Sequence, residues 1–267
     1  MLSEKPKPLS LNTGSEKKQY TIALIAVMLL FTGATWFTKF NPFAILKEQD
    51  IFWSFITVDF LPPDILKAKG LGGALLTTVE MALAASFLAA CFSFVLAFFG
   101  SVTTAPFMWL AKILRGLGSF MRNIPALIWS FILVMAFGIG TSVGLIALFI
   151  ETFGFLLRAF IETIDEVGNE SIEALDAVGA NFPQKLAQGI VPAVIPGYIS
   201  WFLYTIEVNI RSSTIVGMVG GGGVGLVLMS YIKSFKYHVA GTIILAIAIV
   251  VILVDIITNW LRKKVLA

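Results

Sequence analysis

The chain has 267 residues, 58% of them hydrophobic and 13% charged, with a mean hydropathy of +0.91. Soluble domains carry about 25% charged residues, so this chain is short of the polar surface that water demands and reads as an all-α polytopic membrane protein. Nineteen basic and sixteen acidic residues leave a net charge of +3, too balanced for a nucleic-acid surface.

Residues 1–19 are polar and bear Pro, Ser and Lys, and read as a disordered tail. The apolar run 20–38 is longer than the core of a signal peptide, and "GATWFTKF" offers no small-residue cleavage site, so it reads as a retained first span. Residues 39–70 form a loop with Glu48, Asp50, Asp59 and Asp64. The run 71–99 is a second span, long enough to tilt or to extend past the bilayer. It holds Glu80 just after Thr77 and Thr78, whose hydroxyls suit a backbone carbonyl or a neighbouring helix, and Cys91 as a small buried hydrophobe. One cysteine and one histidine, His238, exclude a disulfide framework and a His/Cys metal cage within the chain.

A third span is expected over 120–140, opened by Arg122 as a basic interfacial anchor with Pro125 in its first turns. A fourth covers 142–161, where Glu151 and Arg158 lie two turns apart on one face. Then comes a polar insert, "ESIEALDAVGANFPQKLAQGIVP", residues 170–192. Asn169 reads as an N-cap, with Glu170 and Glu173 in the first turn. Ile172, Leu175 and Val178 make an apolar stripe, Gly179 is a helix stop, and Pro183 suits the first turn of a second short helix. The insert is thus expected to be two short amphipathic helices joined at a glycine. A helix lying on lipid would carry basic residues on its polar face. Here that face has Glu170, Glu173 and Asp176 against Lys185, which favours a protein groove as partner.

The fifth span, 193–214, contains Glu207 and Arg211 at i, i+4. Two readings stand: an internal ion pair, or a polar lining for an anion pathway made by Arg211 with Asn209, Ser212 and Ser213. "GMVGGGGVGLV", Gly217–Val227, lacks the Lys of a phosphate-binding loop, and no Gly-Lys pair occurs anywhere in the chain. Its glycines Gly220, Gly221, Gly222, Gly223 and Gly225 read either as close-approach sites between helices or as a re-entrant turn near an outer mouth. The sixth span is 239–261, with Asp255 inside it. With the N-terminus inside, 12 of the 19 Lys and Arg residues fall on the cytoplasmic side and 7 outside, which places both termini and the insert in the cytoplasm.

"EALDAVG", nine residues, then "GIVP" resembles the cytoplasmic signature of binding-protein-dependent ABC transporter permeases. Glu173, Ala174, Gly179 and Pro192 fall on its positions; Leu175, Gly189 and Val191 depart from it. "TTVEMALAASFLAACFSFVLAFFGS", "RNIPALIWSFILVMAFGIG" and "IRSSTIVGMVGGGGVGLVL" look like the phosphonate-transport branch, so the likeness covers about residues 70–265. The resemblance implies about six transmembrane helices, the first over 20–38 and the others within a permease domain over 71–267, with a coupling-helix loop between spans four and five. Glu173, Ala174, Leu175, Gly179, Ala180, Phe182, Pro183 and Pro192 would dock on a separate ATPase. The implied partners are two ATPase subunits holding ATP and Mg, an extracytoplasmic substrate-binding protein, a second permease subunit (the same chain or a close relative) and membrane lipid. No cofactor or metal of its own is expected. Glu80, Arg122, Glu207, Asn209, Arg211, Ser212 and Ser213 would line the pathway, and the glycine turn would form an outer gate. The rivals are an ion-coupled secondary transporter using Glu80, Glu151 or Glu207, an ABC permease for another solute, and a membrane enzyme. The enzyme is disfavoured by a single His and by a single Asp within the spans.

Overall fold

The computed structural model describes residues 14–41, 47–177 and 179–266. These divide into two compact units, Met1–Val58 and Asp59–Ala267. The first unit contains α1, Gly14–Thr38, polar in its first turns, apolar all round from Tyr20 and exposed except at half-buried Thr35, and a short helix α2, Gln49–Ser54. Helix α1 starts at Gly14, so part of the expected polar tail is helical. Among its described residues the second unit holds eight α-helices: α3 (Leu71–Gly100), α4 (Met108–Arg122), α5 (Ala126–Phe137), α6 (Thr141–Ala177), α7 (Phe182–Gln184), α8 (Val191–Val216), α9 (Gly223–Lys233) and α10 (Tyr237–Leu266).

Among the described residues, five helical stretches are long and apolar enough to cross a bilayer: Lys17–Thr38, Leu71–Gly100, Thr141–Val167, Phe182–Gly221 and Tyr237–Val265. Within lipid a helix satisfies its own backbone groups, so this is the expected form. The expected third span is present as a bent pair that begins earlier, at Met108: α4 and α5 meet at 84° and together are apolar enough for a sixth crossing. Pro125 caps α5 in an extended conformation, φ −56° and ψ 144°; it brings no N–H to continue α4, and its ring disfavours helical geometry at Ile124 before it. Alone, the 12 residues of α5 span only about 18 Å, short of the ~30 Å hydrocarbon layer. The sequence reading missed α4 because that helix is amphipathic rather than uniformly apolar.

Helix α6 is the hub. Its 37 residues reach about 55 Å. Leu148, Leu156, Leu157, Phe160, Ile161 and Ile164 are its most buried side chains, packed on α3, α4 and α8. Tyr198 of α8 stacks on Phe160 with centroids 3.8 Å apart and donates its hydroxyl to the Phe160 carbonyl at 3.2 Å. Between apolar helices in lipid the hydrophobic drive is weak, so close approach and hydrogen bonds set the packing. At Gly154 a side chain would put Cβ 2.7 Å from the Arg122 backbone nitrogen and 2.9 Å from the Gly118 carbonyl oxygen. That contact lets α4 lie directly on α6.

The glycine-rich segment after α8 shows both readings at once. Gly217–Gly221 form a π-type turn, and Gly220 and Gly222 have φ of +114° and +84°, a region that side chains disfavour. The same turn packs tightly: a Cβ on Gly221 would sit 3.0 Å from the Gly144 Cα at the start of α6. Thr78 donates to the Ala74 carbonyl at 2.9 Å, and its oxygen accepts the Val224 N–H at 2.8 Å, capping α9 from α3. Thr77 donates to the Gly73 carbonyl at 3.0 Å.

Residues 62–68 are fastened to the α9–α10 turn. His238 Nδ1 bonds the Pro62 carbonyl at 3.1 Å, the Asp64 N–H donates to the His238 carbonyl at 3.4 Å, and Tyr231 donates to the Lys67 carbonyl at 3.2 Å. The Lys67 ammonium, 2.8 Å from Asp64, donates to that carboxyl and holds it below its ordinary range.

Gly154→Ala should destabilise the folded chain by about 1–3 kcal/mol through overpacking against α4. Gly116→Ala, at an exposed position with no atom within 4 Å of the added Cβ, should instead stabilise by roughly 0.5–1 kcal/mol. Thermal unfolding of both variants in detergent checks the pair; equal midpoints would remove the close-approach argument.

Candidate docking loop and polar cavity

The polar insert departs from the expected pair of short helices. Helix α6 runs unbroken through Asn169 to Ala177, so no new helix begins there. A capping residue acts only where the chain before it is not helical. Here "IETIDEVG" ahead of Asn169 is helix-compatible, and an interior Asn costs only a few tenths of a kcal/mol, about 0.7 at most. The backbone of Glu173 and Ala174 belongs to α6, and their side chains lie outside the described residues. Leu175 is half-buried.

The stop at Gly179 is as expected. Its φ is +73°, and the Ala180 N–H donates to the Leu175 carbonyl at 3.0 Å, the pattern that closes a helix through a left-handed glycine. Asn181 then starts the next helix with a reciprocal box. Its side chain accepts the Gln184 N–H at 3.1 Å, and the Gln184 side chain accepts the Asn181 N–H at 2.9 Å. Pro183 sits in the first turn. A π-type turn over Lys185–Ile190 leads straight into α8, with Pro192 in its first turn, so the second arm is the start of the fifth helix rather than a separate one. Gly179, Asn181, Phe182 and Pro183 are exposed, and Ala180 is half-buried. Phe182 and Leu186 line an apolar groove of about 470 Å³ with Phe98, Phe99 and Pro106 from the α3–α4 connection.

Beside this groove lies a latch. Asp165 of α6 accepts the Ser101 hydroxyl at 2.6 Å and the Val102 N–H at 3.0 Å with one oxygen. Its other oxygen takes Arg115 of α4 at 2.5 Å, and the Arg115 Nε–H donates to the Gly100 carbonyl at 2.8 Å. One carboxylate therefore ties the end of α3, the middle of α4 and α6. The sequence reading missed Asp165 and Arg115. A signal existed: Asp165 falls on the same face as Leu157, Ile161 and Ile164, an acid where an apolar residue is due.

Further along α6 a polar cavity of about 290 Å³ opens at the α4–α5 corner. Its floor is polar and buried: Thr152, Thr205 and Asn209. The Asn209 amide donates to the Ser86 hydroxyl at 2.8 Å, and its carbonyl accepts from Thr152 at 3.0 Å, joining α3, α6 and α8. Arg122, Asn123, Glu151 and Tyr204 line the rest, with Phe155 and Val208 as the apolar wall. Glu151 lies beside the Ala126 amide at the N-terminus of α5, where the helix dipole favours an acid. Among the described residues, Arg115, Arg158 and Arg211 each hold a carboxylate and Arg262 holds Asn259; Arg122 is exposed and is in none of these pairs.

Residues 89–266 match the family of binding-protein-dependent transport system inner membrane components. The chain belongs to that family. This inner membrane component is 35% identical over 203 residues to the phosphite transport system permease protein PtxC of Stutzerimonas stutzeri, covering 76% of this chain and 74% of that one. It is 27% identical over 233 residues to the phosphate-import permease protein PhnE of Mycolicibacterium smegmatis, covering 87% of this chain and 44% of that one, under half of the relative's length. A solved inward-facing structure of the MetNI methionine ABC transporter superposes with a TM-score of 0.60 at 22% identity, covering 74% of this chain and 98% of that one, a likeness of fold. Membership removes the secondary-transporter and membrane-enzyme readings.

The residues expected along a pathway separate in this inner membrane component. Arg122 and Asn209 line the cavity. Glu207 and Arg211 form an ion pair on α8; the Arg211 side chain is 53% exposed and that of Glu207 16%. Ser213 is buried and donates to the Ile210 carbonyl at 2.8 Å, while Ser212 is half-buried. Glu80 is exposed on α3. Asn123, Glu151, Thr152, Phe155, Tyr204, Thr205 and Val208 complete the cavity; of these only Glu151, an acid inside an apolar run, stood out beforehand.

Asp165→Ala should cost about 1–3 kcal/mol, because Arg115, the Ser101 hydroxyl and the Val102 N–H all lose their acceptor. Denaturant or thermal unfolding measures it. A stability unchanged from the parent chain would mean the latch is not holding α4.

Proposed function

We propose that this chain is the membrane-spanning permease of an ATP-binding-cassette importer for phosphorus oxyanions such as phosphonate, phosphate or phosphite. The observation that carries the coupling role is the exposed Gly179 turn, presented at the tip of a helix that projects beyond the bilayer thickness and backed by the Asp165 latch. The substrate class draws on the printed names of the phosphite and phosphate permeases to which the chain is similar.

In this reading the insert and both termini are cytoplasmic, and Glu173, Ala174, Leu175, Gly179, Ala180, Phe182, Pro183 and Pro192 form or flank the surface that an ATPase subunit grips. ATP and Mg belong to that partner, and the permease contributes no cofactor or nucleotide chemistry. Two copies, or this chain with a close relative, enclose one path served by two ATPases, and a binding protein delivers the anion to the outer face. Closure of the ATPases draws the two loops together. The pull passes along α6 and, through Asp165 and Arg115, into α4, which ends at the cavity. The two arrangements of the helices alternate access, and ATP shifts the balance between them only because it favours one of them. The Gly217–Gly225 turn, bound to the start of α6 through the Gly140 N–H and the Gly220 carbonyl at 3.0 Å, moves with α6 and serves as the outer gate.

Gly179→Val keeps the membrane helices but forces a β-branched residue to φ +73°, at a cost of about 1–2 kcal/mol. That strain should shift the loop out of its docked turn roughly tenfold and uncouple uptake from ATP hydrolysis. Reconstituted vesicles containing the permease, its ATPase and the binding protein, assayed for both activities, test this. Normal uptake per ATP in Gly179→Val and in Gly179→Pro would count against the docking role.

A further inference from the structure

Helix α9 ends in a turn that strains one residue. Ser234 follows the helix, the Phe235 N–H donates to the Ile232 carbonyl at 3.0 Å, and the Lys236 N–H donates to the Tyr231 carbonyl at 3.0 Å. This pair of bonds is the helix stop that glycine ordinarily serves, because the residue after the cap must take a left-handed conformation. Here that residue is Phe235, at φ +56°. The chain closes α6 with Gly179 at φ +73°, so it uses glycine where the same demand arises elsewhere. Among the described residues, Lys39 in the first unit is the other non-glycine residue at positive φ. A bulky side chain in this conformation costs free energy that glycine would not.

Burial within the chain does not offset that cost. The Phe235 ring meets Tyr237 edge-on, with centroids 6.2 Å apart, and the residue is 78% exposed. The turn beneath it is braced. The His238–Pro62, Asp64–His238 and Tyr231–Lys67 hydrogen bonds tie its two sides to residues 62–67. A Cβ on Gly241 would come within 2.6 Å of the Phe60 carbonyl oxygen, so the same segment lies directly on the backbone of α10. A ring held out on a braced turn is ordered before any partner arrives, which lowers the entropy cost of binding. Phe235 shares a cavity of about 410 Å³ with Asp59, Asp64, Lys67 and Lys236, and Lys233 is exposed in the last turn of α9. An aromatic centre inside a charged rim is the anatomy of a protein docking surface. Three lysines against two aspartates call for carboxylates opposite, while the two aspartates set the cavity against an anionic lipid surface.

We propose that the Phe235 turn is the anchor on which the extracytoplasmic binding protein docks. The ring enters an apolar pocket of that protein, and Lys233 and Lys236 meet carboxylates on its rim. This rests on the importer reading, which puts the turn on the outer face, and it adds the surface that the partner grips.

The test uses the permease–ATPase complex in vesicles, with ATP hydrolysis measured as its binding protein is titrated. Phe235→Gly removes the strain and the ring together. It should raise the thermal unfolding midpoint of the purified complex by about 2–4 °C, and raise the binding-protein concentration for half-maximal stimulation about tenfold. Phe235→Asn, a residue that tolerates the left-handed backbone, should act the same way. Phe235→Trp keeps an aromatic ring and should need no more binding protein than the parent. Lys233→Glu combined with Lys236→Glu should weaken stimulation at low salt, and the loss should shrink as salt screens the rim. An unfolding midpoint that does not rise in Phe235→Gly would remove the strain from which the proposal starts. A stabilised Phe235→Gly complex stimulated at the parent's concentrations would overturn the docking role. So would a loss that follows the anionic-lipid content of the vesicles with no binding protein added, which is the behaviour of a membrane anchor. If the binding protein stimulates the parent and every variant alike, only the docking surface falls. If it fails to stimulate the parent complex, the importer reading falls with it.

Discussion

The 84° corner between α4 and α5 is the constraint on which the rest of the second unit depends. Three features of α6 hold it. Gly154 has no side chain, so the α4 backbone can lie against it. Asp165 anchors α4 through Arg115, and Glu151 faces the first amide of α5. Glu151, Gly154 and Asp165 lie at successive steps of three and eleven residues along one helix face, and each meets a different part of the bent pair. If any one failed, Arg122 and Asn123 would no longer sit at the mouth of the polar cavity. The docking loop continues the same helix, so one rigid element joins the cavity to the surface proposed to meet the ATPase.

Lipid explains why such contacts are spent on the corner. Acyl chains compete on equal terms with leucine for an apolar helix face, and burying such a face adds little. Backbone proximity at Gly154 and Gly221 adds van der Waals contact that lipid cannot match. The buried Ser86–Asn209–Thr152 set and the Thr78 cap on α9 add hydrogen bonds that lipid cannot offer. The large exposed side chains, such as Phe87, Ile128 and Ile249, are unremarkable by this account, because they face a solvent as apolar as themselves.

The spans were legible because hydropathy is summed over some twenty residues and tolerates local errors. The loop was legible at Gly179 and Pro183, where one residue type meets a specific backbone demand. Reading failed where two signals competed. Asn169 looked like a cap, but the helix before it did not stop. Pro125 looked like a first-turn proline of a span from 120, but it broke that span at its start. The latch and the cavity are products of tertiary pairing. Arg115 and Asp165 are 50 residues apart, and nothing local in either segment announces the other.

Arg122 and Arg211 show why placement outweighs residue type. Both are arginines near an acid, and composition alone made Arg211 the stronger candidate for handling an anion, with Asn209 and two serines nearby. In the folded chain Arg211 is occupied by Glu207 one turn away on its own helix, and a helical i, i+4 pair needs no tertiary structure to form. Arg122 closes a helix at a corner, where the chain turns away and leaves the guanidinium no neighbour four residues on. Glu151, which lines the same cavity, faces the first amide of α5. The corner, by ending α4 at Arg122, is what keeps that guanidinium from the kind of i, i+4 pairing that occupies Arg211.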